Sequence, residues 1–278
     1  LIGGLAGDSL TTGSNNVAVG FEALSTEDAH GNNVAIGNRA LKTLNAGAAG
    51  LNVAVGDDAG LSMTTGTENT LIGALAGDAL TDADYNTAIG YLALSADTLG
   101  SRSVAIGRSA LQVQNFTTAT NAYNVAIGFQ AGDSVTTGVN NTLIGGTTGQ
   151  SLTTGGENVA VGYGALYTDD LGSHNVAVGV SALQNQNFAT ATDSNNTAVG
   201  YSAGLSVTTG ESNTLIGGLA GDALTASSNN VAVGTNALTA DTLGARSVAI
   251  GSAALANQNF TTATDAYNTA VGTLAGNA

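Results

Sequence analysis

The sequence predicts an all-β chain: a parallel β-solenoid of about 16 coils with 17–21 residues per coil. Three observations predict it. The motif Asn-[Val/Thr]-[Ala/Leu]-[Ile/Val]-Gly recurs through all 278 residues and closes at sixteen glycines, from Gly3 to Gly272. Successive closing glycines lie 17, 19 or 21 residues apart, too short for a helix pair, which takes about 34 residues. There is no proline, so every strand N–H is free to bond the next coil.

The strand comes first. Asn16-Val17-Ala18-Val19-Gly20 alternates with a period of two, the strand period. The residue before the glycine is Ile or Val in all sixteen motifs, and the one two earlier is Val or Thr wherever the motif is complete. Such β-branched residues suit a strand. The Asn/Ala/Gly face is small enough to line a thin interior. The Val/Ile/Thr face then needs a second surface to bury it, most simply an identical chain. The reverse assignment is the alternative.

The turn segments follow. Three residues after the glycine stands Ala in 15 of 16 motifs, with Thr148 the exception. The next place is Gly or Leu, in the order Gly, Leu, Leu, Gly throughout. Where it is Gly, an apolar residue stands three places later: Leu10, Met63, Leu80, Val135, Leu152, Val207 or Leu224. Where it is Leu, that later place is usually polar. Each coil thus supplies one large plug from one of two positions, as a close-packed interior requires.

The leading residue of each motif predicts a structural ladder. It is Asn16, Asn33, Asn52, Asn69, Asn86, Asn124, Asn141, Asn158, Asn175, Asn196, Asn213, Asn230 and Asn268, with Ser103 and Ser247 in the two remaining complete motifs. Coils stacked about 4.8 Å apart bring these amides within bonding reach of one another, and sixteen coils extend roughly 75 Å.

A longer period overlies the short one. From Gly56 the pattern repeats every 72 residues, as four-coil cassettes spanning 56–127, 128–199 and 200–271. The long coil of each carries an insert beginning Gln114-Asn115-Phe116, Gln186-Asn187-Phe188 or Gln258-Asn259-Phe260. The whole of 1–278 therefore reads as a single repeat segment. It opens in mid-motif at Leu1-Ile2-Gly3 and stops in mid-unit at Ala278, without the polar caps of a repeat array. The expectation is a fragment of a longer fibre protein.

Composition removes several classes. Gly is 40, Pro 0, Cys 0 and Trp 0, with no strict three-residue glycine period, so neither collagen nor a disulfide scaffold fits. No apolar run of about 18 residues is present, and no basic n-region with a cleavage site opens the chain. Five Lys and Arg against twenty Asp and Glu give a net charge of −15. That field disfavours nucleic acid and anionic membrane.

Catalytic and metal constellations are sparse. His30 and His174 occupy different places in the coil without a Cys partner, whereas a metal site needs converging ligands. They read as solvated turn residues. The acidic pairs Asp57-Asp58 and Asp169-Asp170, with Asp8, Asp78 and Asp222, read as a solvated acidic face rather than calcium ligands. Glycoside cleavage needs paired carboxylates in a groove, and the aromatic platforms for it are scarce. Gly217-Gly218-Leu219-Ala220-Gly221 lacks the Lys and Ser/Thr of a phosphate loop. Thr-Thr-Gly at Thr11, Thr64, Thr136, Thr153 and Thr208 occupies fewer than half the coils, too few for a flat ice-binding array. No enzyme, cofactor or metal is expected. Phe116, Phe188 and Phe260 mark candidate surface-contact loops, recurring at about 19 Å along the stack. The alternative is that each ring tucks onto its own coil.

Ser103-Val104-Ala105-Ile106-Gly107 and Ser247-Val248-Ala249-Ile250-Gly251 resemble the SVAIG signature of trimeric autotransporter adhesin heads, the YadA-like left-handed β-roll. The form at Asn15 to Leu24 is also similar to repeats of bacteriophage tail fibres. The resemblance covers the whole chain, although the adhesin unit is shorter than the 17 to 21 residues here. It implies a left-handed coil, a homotrimer, and an extracellular place at a cell surface or on a virion. The implied role is the structural or adhesive shaft or head of a fibre, meeting a host surface protein or glycan. Its implied partner is itself, with no nucleic acid and no direct membrane insertion by this segment. A phage tail-fibre shaft and an ice-binding β-solenoid are the alternatives.

Overall fold

The structure is a computed structural model that describes residues 1–47 and 49–277. It is all-β, a parallel β-solenoid of about 15 turns, and no helix occurs among the described residues. The chain forms two compact units, Leu1–Asn140 and Asn141–Ala278.

The strands of the first unit are β1 (Val17–Val19), β2 (Val34–Ile36), β3 (Val53–Val55), β4 (Thr70–Ile72), β5 (Thr87–Ile89), β6 (Gly100–Ser101), β7 (Val104–Ile106), β8 (Thr120–Asn121) and β9 (Val125–Ile127). The motif strands β1 to β5, β7 and β9 pair in parallel in that order, while β6 pairs with β8. In the second unit stand β10 (Thr142–Ile144), β11 (Val159–Val161), β12 (Gly172–Ser173), β13 (Val176–Val178), β14 (Thr192–Asp193), β15 (Thr197–Val199), β16 (Thr214–Ile216), β17 (Val231–Val233), β18 (Gly244–Ala245), β19 (Val248–Ile250), β20 (Thr264–Asp265) and β21 (Thr269–Val271). There β10, β11, β13, β15, β16, β17, β19 and β21 pair in order, with β12 beside β14 and β18 beside β20. The opening motif contributes only a bridge, Ile2 to Val19, so sixteen motifs yield fifteen motif strands.

Register is strict: Val17 faces Val34, Ala18 faces Ala35, and Val19 faces Ile36. Columns of like side chains therefore run through each unit: Val with Thr, Ala with Leu, and Val with Ile. The small face points inwards. Ala18, Ala35, Ala54, Ala160 and Ala177 are fully buried, while Val17 and Ile36 keep about 40% of their surface, at 43% and 37%. The closing glycines are forced by the same stacking. At Gly20, φ is +141°, and a Cβ would stand 2.2 Å from the Gly37 carbonyl oxygen.

The interior plugs alternate as the Gly/Leu pattern predicts. Leu24, Leu41, Leu94 and Leu111 are fully buried, and so are Met63, Leu80, Val135 and Leu152. A further plug sits in the strands themselves. Leu71, Leu143 and Leu215 replace the strand Ala and are fully buried. The Leu71 methyl groups lie where Cβ atoms of Gly60 and Gly77 would stand, 2.8 Å away in each case. The paired glycines in adjacent coils thus make room for a leucine on the strand.

The corners use left-handed backbone. The residue two after each closing glycine, the residue four after it, and the residue before the ladder Asn take positive φ, as at Glu22 (53°), Leu24 (53°) and Asn32 (64°). Such conformations cost roughly 1–3 kcal/mol for a side chain other than Gly. They persist here because hydrogen bonds between coils hold every corner, for example Leu24 N–H to the Ala40 carbonyl at 3.0 Å. The Asn residues at the third corner (Asn15, Asn32, Asn140, Asn195, Asn229) were the readable sign, since Asn tolerates this region.

Candidate functional site

The interior ladder forms, with a geometry richer than stacked amides. Each ladder Asn accepts, on its Oδ1, the backbone N–H of the ladder residue one coil later. Asn69 N–H reaches Asn52 Oδ1 at 2.9 Å and Asn158 N–H reaches Asn141 Oδ1 at 3.1 Å. In most coils Nδ2 donates to a carbonyl fourteen residues on, as from Asn69 to Ala83 at 2.7 Å or Asn230 to Gly244 at 3.0 Å; Asn268 instead donates to Gln258 Oε1. Direct amide pairs add to this at Asn69–Asn52 (3.2 Å), Asn175–Asn158 (3.1 Å) and Asn213–Asn196 (3.2 Å). Asn33, Asn52, Asn86, Asn124, Asn141, Asn196 and Asn213 are buried with them, whereas Asn16 is half-buried and Asn268 exposed. This ladder ties the strand to the corner of each coil; it presents nothing to a ligand.

At the inserts the structure decides between the two readings of the phenylalanines. The Phe116 and Phe188 rings are buried, at 6% and 4% exposure, and Phe260 is half-buried. They are not displayed aromatic contacts; the Phe116 and Phe260 rings lie against Gly100 and Gly244 of the preceding coil. The reason is a polar node that pulls the insert inwards. Asp97 is fully buried. Its Oδ1 accepts the N–H groups of Gly100 and Phe116, both at 3.0 Å, and its Oδ2 accepts Gln114 Nε2 at 2.6 Å. Asp169 with Gln186 and Asp241 with Gln258 repeat the 2.6 Å contact. Gly100 leaves space for both groups, since a Cβ there would stand 2.0 Å from Asp97 Oδ2 and 2.8 Å from the Phe116 ring. What the insert does expose is Thr117, Thr118 and Ala119, with Thr120 Oγ1 donating to the Thr118 carbonyl at 2.9 Å.

The node also explains the two serines in the ladder. Ser103 Oγ lies 3.0 Å from Gln114 Nε2, and Gln114 Oε1 accepts Asn124 Nδ2 at 2.9 Å. In the middle cassette Asn175 is retained, and the hydroxyl comes from Ser194 instead, donating to Asn175 Oδ1 at 2.9 Å. The first and third cassettes carry Ala122 and Ala266 at that place. Burial raises the Asp97 carboxyl above its ordinary range and pushes Asp169 up to about 6, against the pull of its hydrogen bonds.

The remaining candidates disperse. The acidic pairs do not form one solvated face: Asp58 and Asp169 are buried, while Asp57 is exposed and Asp170 half-buried. Asp58 pairs with Arg39 at 2.5 Å. His30 is half-buried and lies 3.1 Å from Glu27 Oε1 and 3.9 Å from Asp28. Among the described residues these three side chains are the one such convergence of ligand-type groups. Glu27 is already engaged, accepting the N–H groups of His30 at 3.1 Å and Ala46 at 3.3 Å. It occupies the place of Asp97 one cassette earlier and does the same work. His174 is exposed between Glu157 and Asp193, 3.1 Å from each. Thr-Thr-Gly hydroxyls are partly spent between coils, as from Thr65 to Asp82 Oδ1 at 2.7 Å.

What each unit presents outwards is the strand face. The first and third strand residues of every coil are half-exposed to exposed Val, Thr and Ile. Aromatic side chains stand just beyond the strands, including Phe21, Tyr91, Tyr163 and Tyr201, all exposed. On the coils of β5, β7 and β9 they sandwich the two arginines. Arg102 lies 4.5 Å from the Tyr85 ring and 5.9 Å from Tyr123; Arg108 lies 5.9 Å from Tyr91 and 5.5 Å from Phe129. These stacks flank the strand face on both sides, two residues before and two after each strand. Arg and Tyr are the side chains most enriched where protein interfaces concentrate their energy. No helix among the described residues is long and apolar enough to cross a membrane. Comparison with protein-family models, curated proteins and solved structures returns no match.

Proposed function

We propose that this chain is a structural and adhesive segment of an extracellular homotrimeric fibre, wound as a left-handed β-roll and related to YadA-like head repeats. Its outward strand faces meet in the trimer, and its exposed turns and insert loops contact a host surface protein or glycan. The observation that carries this reading is the unbroken outward column of Val, Thr and Ile in each unit, half-exposed where charged residues are otherwise available. A chain with a net charge of −15 has the means to solvate that face and does not use them. A copy of the same repeat offers a matching surface, coil for coil. Repeated weak contacts along such a fibre sum by avidity.

Light scattering tests the trimer. The expected solution mass is three times 27.0 kDa. The double substitution Ile216→Glu with Ile250→Glu, on the outward face of β16 and β19, is expected to yield monomers with unchanged β-type circular dichroism. A wild-type chain that stays monomeric at every concentration overturns the trimer. Adhesion is tested separately, by retention of chain-coated beads on host cell layers; beads that wash off like uncoated ones overturn it.

A further inference from the structure

The three cassettes place the same corner three times, and the third differs. In the first cassette, Ser101 Oγ accepts the Asp84 N–H at 3.0 Å, and the Tyr85 ring covers Arg102. In the second, Ser173 Oγ accepts the Gly156 N–H at 3.1 Å, and Glu157 closes over His174. In the third, these places hold Ala245 and Asn229. Two short side chains replace a hydroxyl and a ring, and a cavity of about 370 Å³ opens, lined by Ser227, Ser228, Asn229, Ala245, Arg246 and Asp265.

The missing hydroxyl leaves polar groups behind. Ser228 N–H, whose counterparts at Asp84 and Gly156 are bonded, has no protein acceptor. Ser227 is 4% exposed and its Oγ is buried without a partner. An unpaired buried hydroxyl costs about 1–3 kcal/mol, so this corner is built less stably than its two counterparts. Arg246 Nε donates to Asp265 Oδ1 at 3.0 Å, and that bond raises the arginine above its already high range. Both residues line the cavity. Tyr267, 67% exposed, has its hydroxyl 3.4 Å from Asp265 Oδ2 and its ring 5.9 Å from the Arg246 guanidinium.

We propose that this corner is a binding subsite for one saccharide residue with vicinal hydroxyls. The assignment deepens the attachment reading above and rests on it. Sugar hydroxyls both donate and accept, and the cavity offers both: Ser228 N–H and Arg246 as donors, Asp265 as acceptor. A phosphate or sulfate would meet only half of that set, and would lie against Asp265 on a chain of net charge −15. The volume falls in the range of small-ligand sites, about 300–1,000 Å³.

Saturation-transfer NMR on the full chain with the methyl glycosides of glucose, galactose and mannose tests this. Transfer to the ring protons of at least one glycoside is expected. The filled variant Ala245→Ser with Asn229→Tyr rebuilds the first cassette's corner, and it should fold at least as stably while weakening binding about tenfold or more. Asp265→Asn, which keeps the shape, should weaken it as well. No transfer from any glycoside, or equal binding by the filled variant, overturns the subsite. The two readings fail separately. Beads of the filled variant that adhere to cells as well as wild type leave attachment standing and remove the subsite from it. Glycoside binding by a wild-type chain that adheres to nothing keeps the subsite and ends the adhesive reading.

Discussion

Asn158 concentrates the residue-scale physics. Its Oδ1 accepts both N–H groups of Asn175, at 2.9 and 3.1 Å, and its Nδ2 donates to the Gly172 carbonyl at 2.9 Å. Asn158→Ala strands a buried backbone donor and a buried acceptor. The expected cost is about 2–4 kcal/mol, read as a lower urea midpoint, whereas exposed Asn268→Ala should change it by no more than about 0.5 kcal/mol. Asp169 gives the pH dependence. Its folded-state value of about 6 lies above the ordinary carboxylate range because burial disfavours the charge. The folded state therefore holds a proton between about pH 4 and 6 that the unfolded state releases. From this group, stability is greatest near pH 4 and falls as pH rises through 6, by up to about 3 kcal/mol. Asp169→Asn, which cannot ionise, should flatten the pH 4–6 segment of the stability profile; an unchanged slope would refute the assignment.

At the scale of the coil, the closing glycine and the insert decide what each turn tolerates. Gly162 has φ +133°, and a Cβ there would stand 2.5 Å from the Gly179 carbonyl oxygen. Gly162→Ala must push two coils apart, and a loss of several degrees in Tm is expected. Gly218→Ala has open space around it and should leave Tm unchanged within error in the same melting experiment. Phe188→Ala removes a ring that closes its insert onto the core, at about 3–5 kcal/mol. Were the ring a displayed contact, the same change would leave stability alone. The strand pattern and the plug alternation were legible because period-two alternation and volume compensation are local properties. The sequence leaves the Phe open between display and burial, because its fate turns on Asp97, Gln114 and Gly100, which the chain places on neighbouring coils.

For the whole molecule, charge works against the proposed trimer. Every chain carries a net −15, so in that proposal like-charged copies repel at long range while the strand faces attract at contact. Salt shortens the Debye length from about 10 Å at 0.1 M to about 3 Å at 1 M. The trimer should therefore strengthen as salt is added, measured by sedimentation at 0.05 and 0.5 M NaCl. Weakening with salt would mean that ion pairs, rather than the Val/Ile/Thr columns, hold the chains together.

The sequence by itself determined the repeat, the strand in each coil and the alternating plugs, while burial decided that the small face points inwards. Stacking in register gives each coil nearly the same surroundings as its neighbour, so a one-dimensional period encodes most contacts. Only the tertiary structure decided that Asp97, Asp169 and Asp241 lie inside, that the insert rings follow them, and that Ala245 and Asn229 leave a cavity. Those outcomes depend on which side chains from different coils share one volume and complete one another's hydrogen bonds, and spacing along the chain does not carry that information.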